Sequence, residues 1–182
     1  DYKSSAFRAS VKKKPGEKYL LVDGYNIIFA WEDLRELAEA NIDAARGKLL
    51  DIMSNYQGIR KCQLIVVFDA YRVVGHDTEI LDYYNIHVVY TKEAETADQY
   101  IEKFAHEHGR KYDVTVATSD GMEQIIIRGQ GCSLLSAREL LEEVNLANQT
   151  LREKYLEKQQ KDRSYLLDSM SEEELKKIRD LE

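Results

Sequence analysis

Short apolar runs alternate along the chain with stretches where apolar residues recur every three or four positions. That is the pattern of buried strands separated by amphipathic helices. The expected strands are Tyr19–Val22, Cys62–Phe68, Ile86–Tyr90, Asp113–Thr118 and a short Cys132–Leu135. The second is apolar almost throughout, which fits a central strand covered on both faces. After Asn26 the chain turns through Ile27, Ile28, Phe29 and Trp31 into a helical region with Leu34, Leu37 and Ala38 on one face. A second helix starts at Asn41 or Asp43, carries Ile42, Ala45, Leu49, Met53 and Tyr56 on one stripe, and is expected to end at Gly58. Gly121–Arg128 is a further helix, holding Met122, Ile125 and Ile126. Thr96 with Gln99, Ser136 with Glu139 and Ser171 with Glu174 have capping-box spacing. They open helices with Ile101, Phe104 and Ala105, with Leu140 to Tyr155 and on to about residue 160, and with Leu175, Ile178 and Leu181. Residues 70–84 are the least regular: Gly75, His76 and Asp77 suggest a loop, and Glu79–Tyr84 a short helix. Strands alternating with helices predict an α/β fold, a mostly parallel sheet of about five strands with helices on both faces.

Three of the strands end in a carboxylate. Leu20-Leu21-Val22 runs into Asp23-Gly24, Leu64 to Phe68 into Asp69, and Val114 to Ser119 into Asp120. Gly24 is expected to let the backbone turn sharply beside whatever Asp23 holds. Asp98 falls in the first turn of the helix capped by Thr96, where the helix dipole tolerates negative charge. Ligands of parallel sheets sit beyond the carboxyl ends of the strands, where the strand order reverses. Four distant aspartates are therefore expected to converge. Unpaired carboxylates brought together repel and raise one another's pKa, and a divalent cation removes the conflict. An oxygen-only donor set, without a cysteine or histidine cluster, favours Mg²⁺ or Mn²⁺ over zinc. Such an ion suits phosphodiester hydrolysis, orienting water and stabilising charge on the leaving oxygen. Each aspartate alone is an ordinary turn or cap residue; only their repeated placement points to chemistry. Asn26 is either a turn residue or a contact to water or phosphate. Thr118 and Ser119 either form the turn or hydrogen-bond phosphate, and Glu95 reads most simply as a residue that opens the helix.

Size and charge narrow the picture. The 182 residues, 43% hydrophobic and 32% charged, suffice for one domain with a real core. No apolar run approaches the roughly 20 residues that span a bilayer, so no membrane association is expected. Cys62 and Cys132 lack metal-type spacing and read as reduced residues of a cytoplasmic protein. The net charge of −7 disfavours a protein that finds free nucleic acid by itself, since such binding leans on lysine and arginine. Any RNA is then presented by something else, or held by a local basic patch. Residues 1–18, with Lys3, Arg8, Lys12, Lys13, Lys14 and Lys18, read as a flexible basic leader or an arm that touches RNA. The first residue is aspartate, so the chain is either processed or cut from a longer one. His106 and His108 do not share a helical face, and His76 and His87 lack a matching nucleophile, which leaves a serine or cysteine triad little support. No glycine loop of the P-loop type is present. A phospho-acceptor receiver would want a second aspartate beside Asp23 and a lysine after the last strand, and the chain has neither there.

At Val22-Asp23-Gly24-Tyr25-Asn26, Val66-Val67-Phe68-Asp69, Glu95-Thr96-Ala97-Asp98, Ala117-Thr118-Ser119-Asp120 and Ser136-Ala137-Arg138-Glu139-Leu140 the sequence resembles the NYN domain, a branch of the PIN-like nucleases. It is most similar to the YacP group of bacterial ribosome-associated endoribonucleases. The resemblance covers about residues 19–160 and leaves 161–182 as a C-terminal helical tail. It implies a PIN-like three-layer αβα sandwich and metal-dependent cleavage of mRNA in the ribosomal A site during translation. It places Asp23, Asp69, Asp98 and Asp120 on the family's acidic positions and Asn26 on its asparagine. On this reading Asp23, Asp69 and Asp120 hold Mg²⁺ or Mn²⁺, Asp98 holds metal or orients the attacking water, and mRNA and the ribosome are partners. The leader is longer than a stand-alone protein of this kind needs, which suggests fusion to an upstream domain. The competing reading is a non-catalytic module that docks on RNA or ribosome.

Overall fold

Leu20, Leu21 and Val22 are all buried, which puts the first strand at the centre of the sheet, covered on both faces. A computed structural model describes residues 17–70 and 77–181. The leader up to residue 16, with Gly75 and His76, lies outside the described residues. In chain order the elements are β1 (Lys18–Asp23), α1 (Gly24–Ala30), α2 (Glu32–Ala40), α3 (Ile42–Arg60), β2 (Gln63–Phe68), β3 (Glu79–Tyr83), β4 (Ile86–Tyr90), α4 (Ala97–His108), β5 (Asp113–Ala117), α5 (Gly121–Gly129), β6 (Ser133–Leu135), α6 (Ala137–Asp168) and α7 (Glu172–Arg179). Among the described residues six strands form one sheet in the order β3-β4-β2-β1-β5-β6. All neighbours are parallel except β3 and β4.

The sixth strand corrects the expected count. Glu79–Tyr83 is not a helix but an antiparallel edge strand, paired from Glu79↔Tyr90 to Tyr83↔Ile86. Tyr84, at φ 51°, makes the tight reversal. With only one neighbour, this strand leaves both faces largely exposed and so lacks the alternation that marks a half-buried strand.

Other differences are at boundaries. Gly58 lies within α3, which ends at Arg60 with Lys61 (φ 55°) in the left-handed cap conformation. Asn41 caps that helix, accepting from the Ala44 N–H. All three capping boxes form, at Thr96/Gln99, Ser136/Glu139 and Ser171/Glu174. α6 continues beyond residue 160 to Asp168.

One face of the sheet presents Leu21, Ile65, Val67, Val114 and Val116 to Ala97, Ile101 and Ala105 of α4 and Ile127 of α5. Helices α1–α3 supply Ile27, Ile28, Leu34, Leu49 and Met53, all buried. Each such side chain contributes about 1.5–3 kcal/mol on burial. The described chain divides into two compact units, one ending at Val144 within α6 and one from Asn145 onward. The second consists of the rest of α6 and α7, with mostly exposed side chains. No helix among the described residues is long and apolar enough to cross a membrane.

Candidate active site

β1 has β2 on one side and β5 on the other, so the strand order reverses there, and the carboxyl ends of these strands frame an open cleft of about 510 Å³. Asp23, Asp69, Asp98 and Asp120 all line it, together with Tyr25, Asn26 and Phe29. Three of the four aspartates have one oxygen tied down by a local hydrogen bond. Asp69 Oδ1 accepts from the Ala97 N–H at 2.5 Å, so the end of β2 is clamped to the start of α4. Asp120 Oδ1 caps α5, accepting from the Met122 and Glu123 N–H groups. Asp98 Oδ1 accepts from the Thr96 hydroxyl. The second oxygen of each of these has no hydrogen-bond partner among the described residues. Asp23 stands at the N-cap of α1 but makes no side-chain cap hydrogen bond.

Asn26 Oδ1 accepts from the Ser119 N–H at 2.8 Å, tying the first turn of α1 to the loop after β5. Thr118 and Ser119 hold that loop rather than line the cleft. Thr118 is fully buried; its hydroxyl accepts from the Asp120 N–H and donates to Glu123 Oε2 at 2.9 Å. The Ser119 hydroxyl accepts from the Ala137 N–H. Glu95 does not line the cleft; its carbonyl accepts from the Thr91 hydroxyl, which shapes the approach to α4. Gly24 has a reason beyond the expected one. A Cβ there would run into the Phe68 ring, so glycine also makes room for a core side chain.

Sequence reasoning missed Glu123, an almost fully buried carboxyl in α5. Its pKa is driven far up, first by burial and then by the charge of Asp23. Asp23 is raised to about 6, by burial first and by Asp69 and Asp98 after it, with Glu123 and Thr118 as hydrogen-bonding neighbours that oppose the rise. Asp69 is raised by burial and by Asp98. Glu102, one turn beyond Asp98, is raised by burial and then by Asp98 and Asp120, which extends the acidic rim. The available signal for Glu123 was its position three after Asp120, where a capping box would turn it back to the Asp120 N–H. That N–H goes to Thr118 instead, and Glu123 turns inward. Met122 and Ile125, on either side of it, are exposed.

The family model of the YacP-like NYN domain matches residues 20–182. The chain belongs to that family. It is 45% identical over 126 residues to "Uncharacterized protein YacP" of Bacillus subtilis, covering 69% of this chain and 74% of that one. Two solved structures of Rae1 (YacP) from Bacillus subtilis are similar. One, of a point mutant, matches with a TM-score of 0.68 and 38% identity, over 79% of this chain and 84% of that one. The other matches with a TM-score of 0.65 and 40% identity, over 88% and 92%. The NYN family is one of nucleases, generally metal-dependent, so the chain has a nuclease-type, RNA-related function.

The cleft offers oxygen donors only, which suits Mg²⁺ or Mn²⁺. No three His, Cys, Asp or Glu side chains among the described residues stand close enough to hold one ion. Magnesium commonly takes one or two carboxylates and keeps water and substrate phosphate in its other positions, which this donor set satisfies.

Proposed function

We propose that the chain is a metal-dependent endoribonuclease that cleaves mRNA, in the ribosomal A site during translation. The observation that carries this reading is the meeting of four aspartates from four separate segments in one cleft at the point where strand order reverses. Of Asp23, Asp69 and Asp120, one or two would hold Mg²⁺ or Mn²⁺ directly and the rest through bound water, and Asp98 would hold metal through water or orient the attacking water. Bound there, the ion supplies Lewis-acid polarisation of the phosphoryl group and offsets the charge gathering on it. In its water-orienting role, the untied oxygen of Asp98 would take a proton from the attacking water, which bonds to phosphorus as a P–O ester bond breaks, and the leaving oxygen would be protonated from solvent. The local hydrogen bonds on Asp69, Asp98 and Asp120 keep the carboxylates from reorganising as charge develops. The cytoplasm and a translating ribosome are the setting that the net charge of −7 supports, because the particle supplies the positioning that this surface lacks.

Incubating the protein with translating ribosomes, with and without chelator, and mapping the RNA ends tests the proposal. New ends that vanish on chelation are expected, and Asp23→Asn should fold yet produce none. Full cutting by Asp23→Asn ends the metal-site account. The second reading, a non-catalytic RNA- or ribosome-binding module, draws on the absence of three close ligands for one ion among the described residues. It predicts ribosome binding with RNA ends unchanged by chelator.

A further inference from the structure

We infer that Phe29 is a stacking platform for one nucleobase of the RNA strand, and that it sets which nucleotide lies beside the scissile phosphate. The inference rests on the nuclease reading and adds a subsite to it.

Among the described residues, the side chains lining the cleft include four carboxylates and no lysine or arginine. A phosphodiester backbone is repelled by such a surface unless a cation lies between them, so the lining residues offer the strand no ionic grip of their own. What they do offer is aromatic. Phe29 lines the same cleft as Asp23 and Asp120 and is 53% exposed. A lone exposed phenylalanine is an ordinary feature of a protein surface. This one is backed on its inner side. Its ring stacks on Tyr25 at 6.3 Å and 26°, and Tyr25 packs on Phe68 at 5.0 Å. The Tyr25 hydroxyl is fixed by Arg46, which donates to it at 2.8 Å. Phe68 in turn stacks on Tyr90 at 5.7 Å and 25°. The row runs from the central sheet to the cleft rim and ends in a held ring with an open side.

A held ring binds a flat π-system with little loss of side-chain entropy, and a nucleobase is the flat group that an RNA strand carries next to each phosphate. Base–aromatic stacking is sequence-tolerant but favours the larger bases, so the platform supplies grip and a preference at a single nucleotide position.

The test uses the full chain on translating ribosomes, with mapped ends as readout, and compares wild type with Phe29→Ala, Phe29→Leu and Phe29→Trp. With about half of the ring already exposed, the alanine and leucine variants should stay folded with melting temperatures only a few degrees lower. Alanine and leucine should both lower the yield of cut ends at limiting enzyme by roughly ten- to one-hundred-fold, the range of one lost base stack. Both should also flatten the base preference at one fixed distance from the cut. Tryptophan should restore yield and preference. Cutting by Phe29→Ala within about two-fold of wild type overturns the inference and leaves the nuclease reading standing. Full activity of Phe29→Leu also overturns it, since any apolar contact, such as one to a protein side chain, would then suffice. A wild type that cuts nothing removes the nuclease reading and this inference with it.

Discussion

Glu123 lies almost fully buried beside Asp23, and burial drives both carboxyls toward the protonated form. In the unfolded chain each would titrate near the ordinary carboxylate range. The folded state therefore holds more protons than the unfolded one across the interval between the two values, and stability falls as pH rises through it. For Asp23 the contribution is complete below about pH 4 and is lost as pH passes about 6; the Glu123 contribution is lost at higher pH. Without divalent metal, the melting temperature should be lower at pH 8.5 than at pH 5, and Glu123→Gln should flatten that slope. Asp23→Asn should raise the melting temperature at pH 8 while abolishing cutting, because it removes a buried, repelled charge. Gly24→Ala tests a different residue-scale constraint. Its Cβ would collide with the Phe68 ring, so a loss of about 1–3 kcal/mol in denaturant unfolding is expected. Neither feature was legible from the chain. Burial of a glutamate inverts the usual reading of a helix face, and the Gly24 contact is made by a residue from another strand, far along the sequence.

The elements were more readable because their signals are local. An apolar run that stops at an aspartate marks a strand and its carboxyl end together, and Asp23, Asp69 and Asp120 needed nothing else to be placed on one rim. A capping box states where a helix begins, and three of them did. β3 failed that test because it owes its conformation to pairing with β4 and has no pattern of its own. The N-terminus of α4 has a role beyond starting a helix. Thr96 caps it and also donates to Asp98, while the Ala97 N–H holds Asp69. Thr96→Ala should cost about 1 kcal/mol, the usual loss for a cap. It should also cut the rate of RNA cleavage several-fold, whereas Ser171→Ala, at a cap remote in sequence from the acidic segments, should cost similar stability and leave the rate unchanged. Equal effects on rate would remove the link between this cap and the carboxylates.

At the scale of the molecule, the cleft is a concentration of negative charge whose members raise one another's proton affinity. A ligand that binds only the folded state stabilises it by mass action, about 2.7 kcal/mol at one hundred times its dissociation constant. Mg²⁺ or Mn²⁺ should therefore raise the melting temperature of wild type and not of Asp23→Asn; no shift in wild type would leave the cleft without its ion. The parallel sheet and the rim it creates followed from alternation alone, but the division at Val144 did not, because α6 passes through that point without a break in its pattern.

The first strand lies between partners that are synthesised far apart, β2 on one side and β5 on the other. A growing polypeptide therefore carries Asp23 and Asp69 long before Asp120 exists, and the acidic rim closes only when the strand that precedes Asp120 slots in against the opening one. On the nuclease reading, a half-made chain should therefore leave the message that encodes it uncut, because one wall of the cleft is still missing.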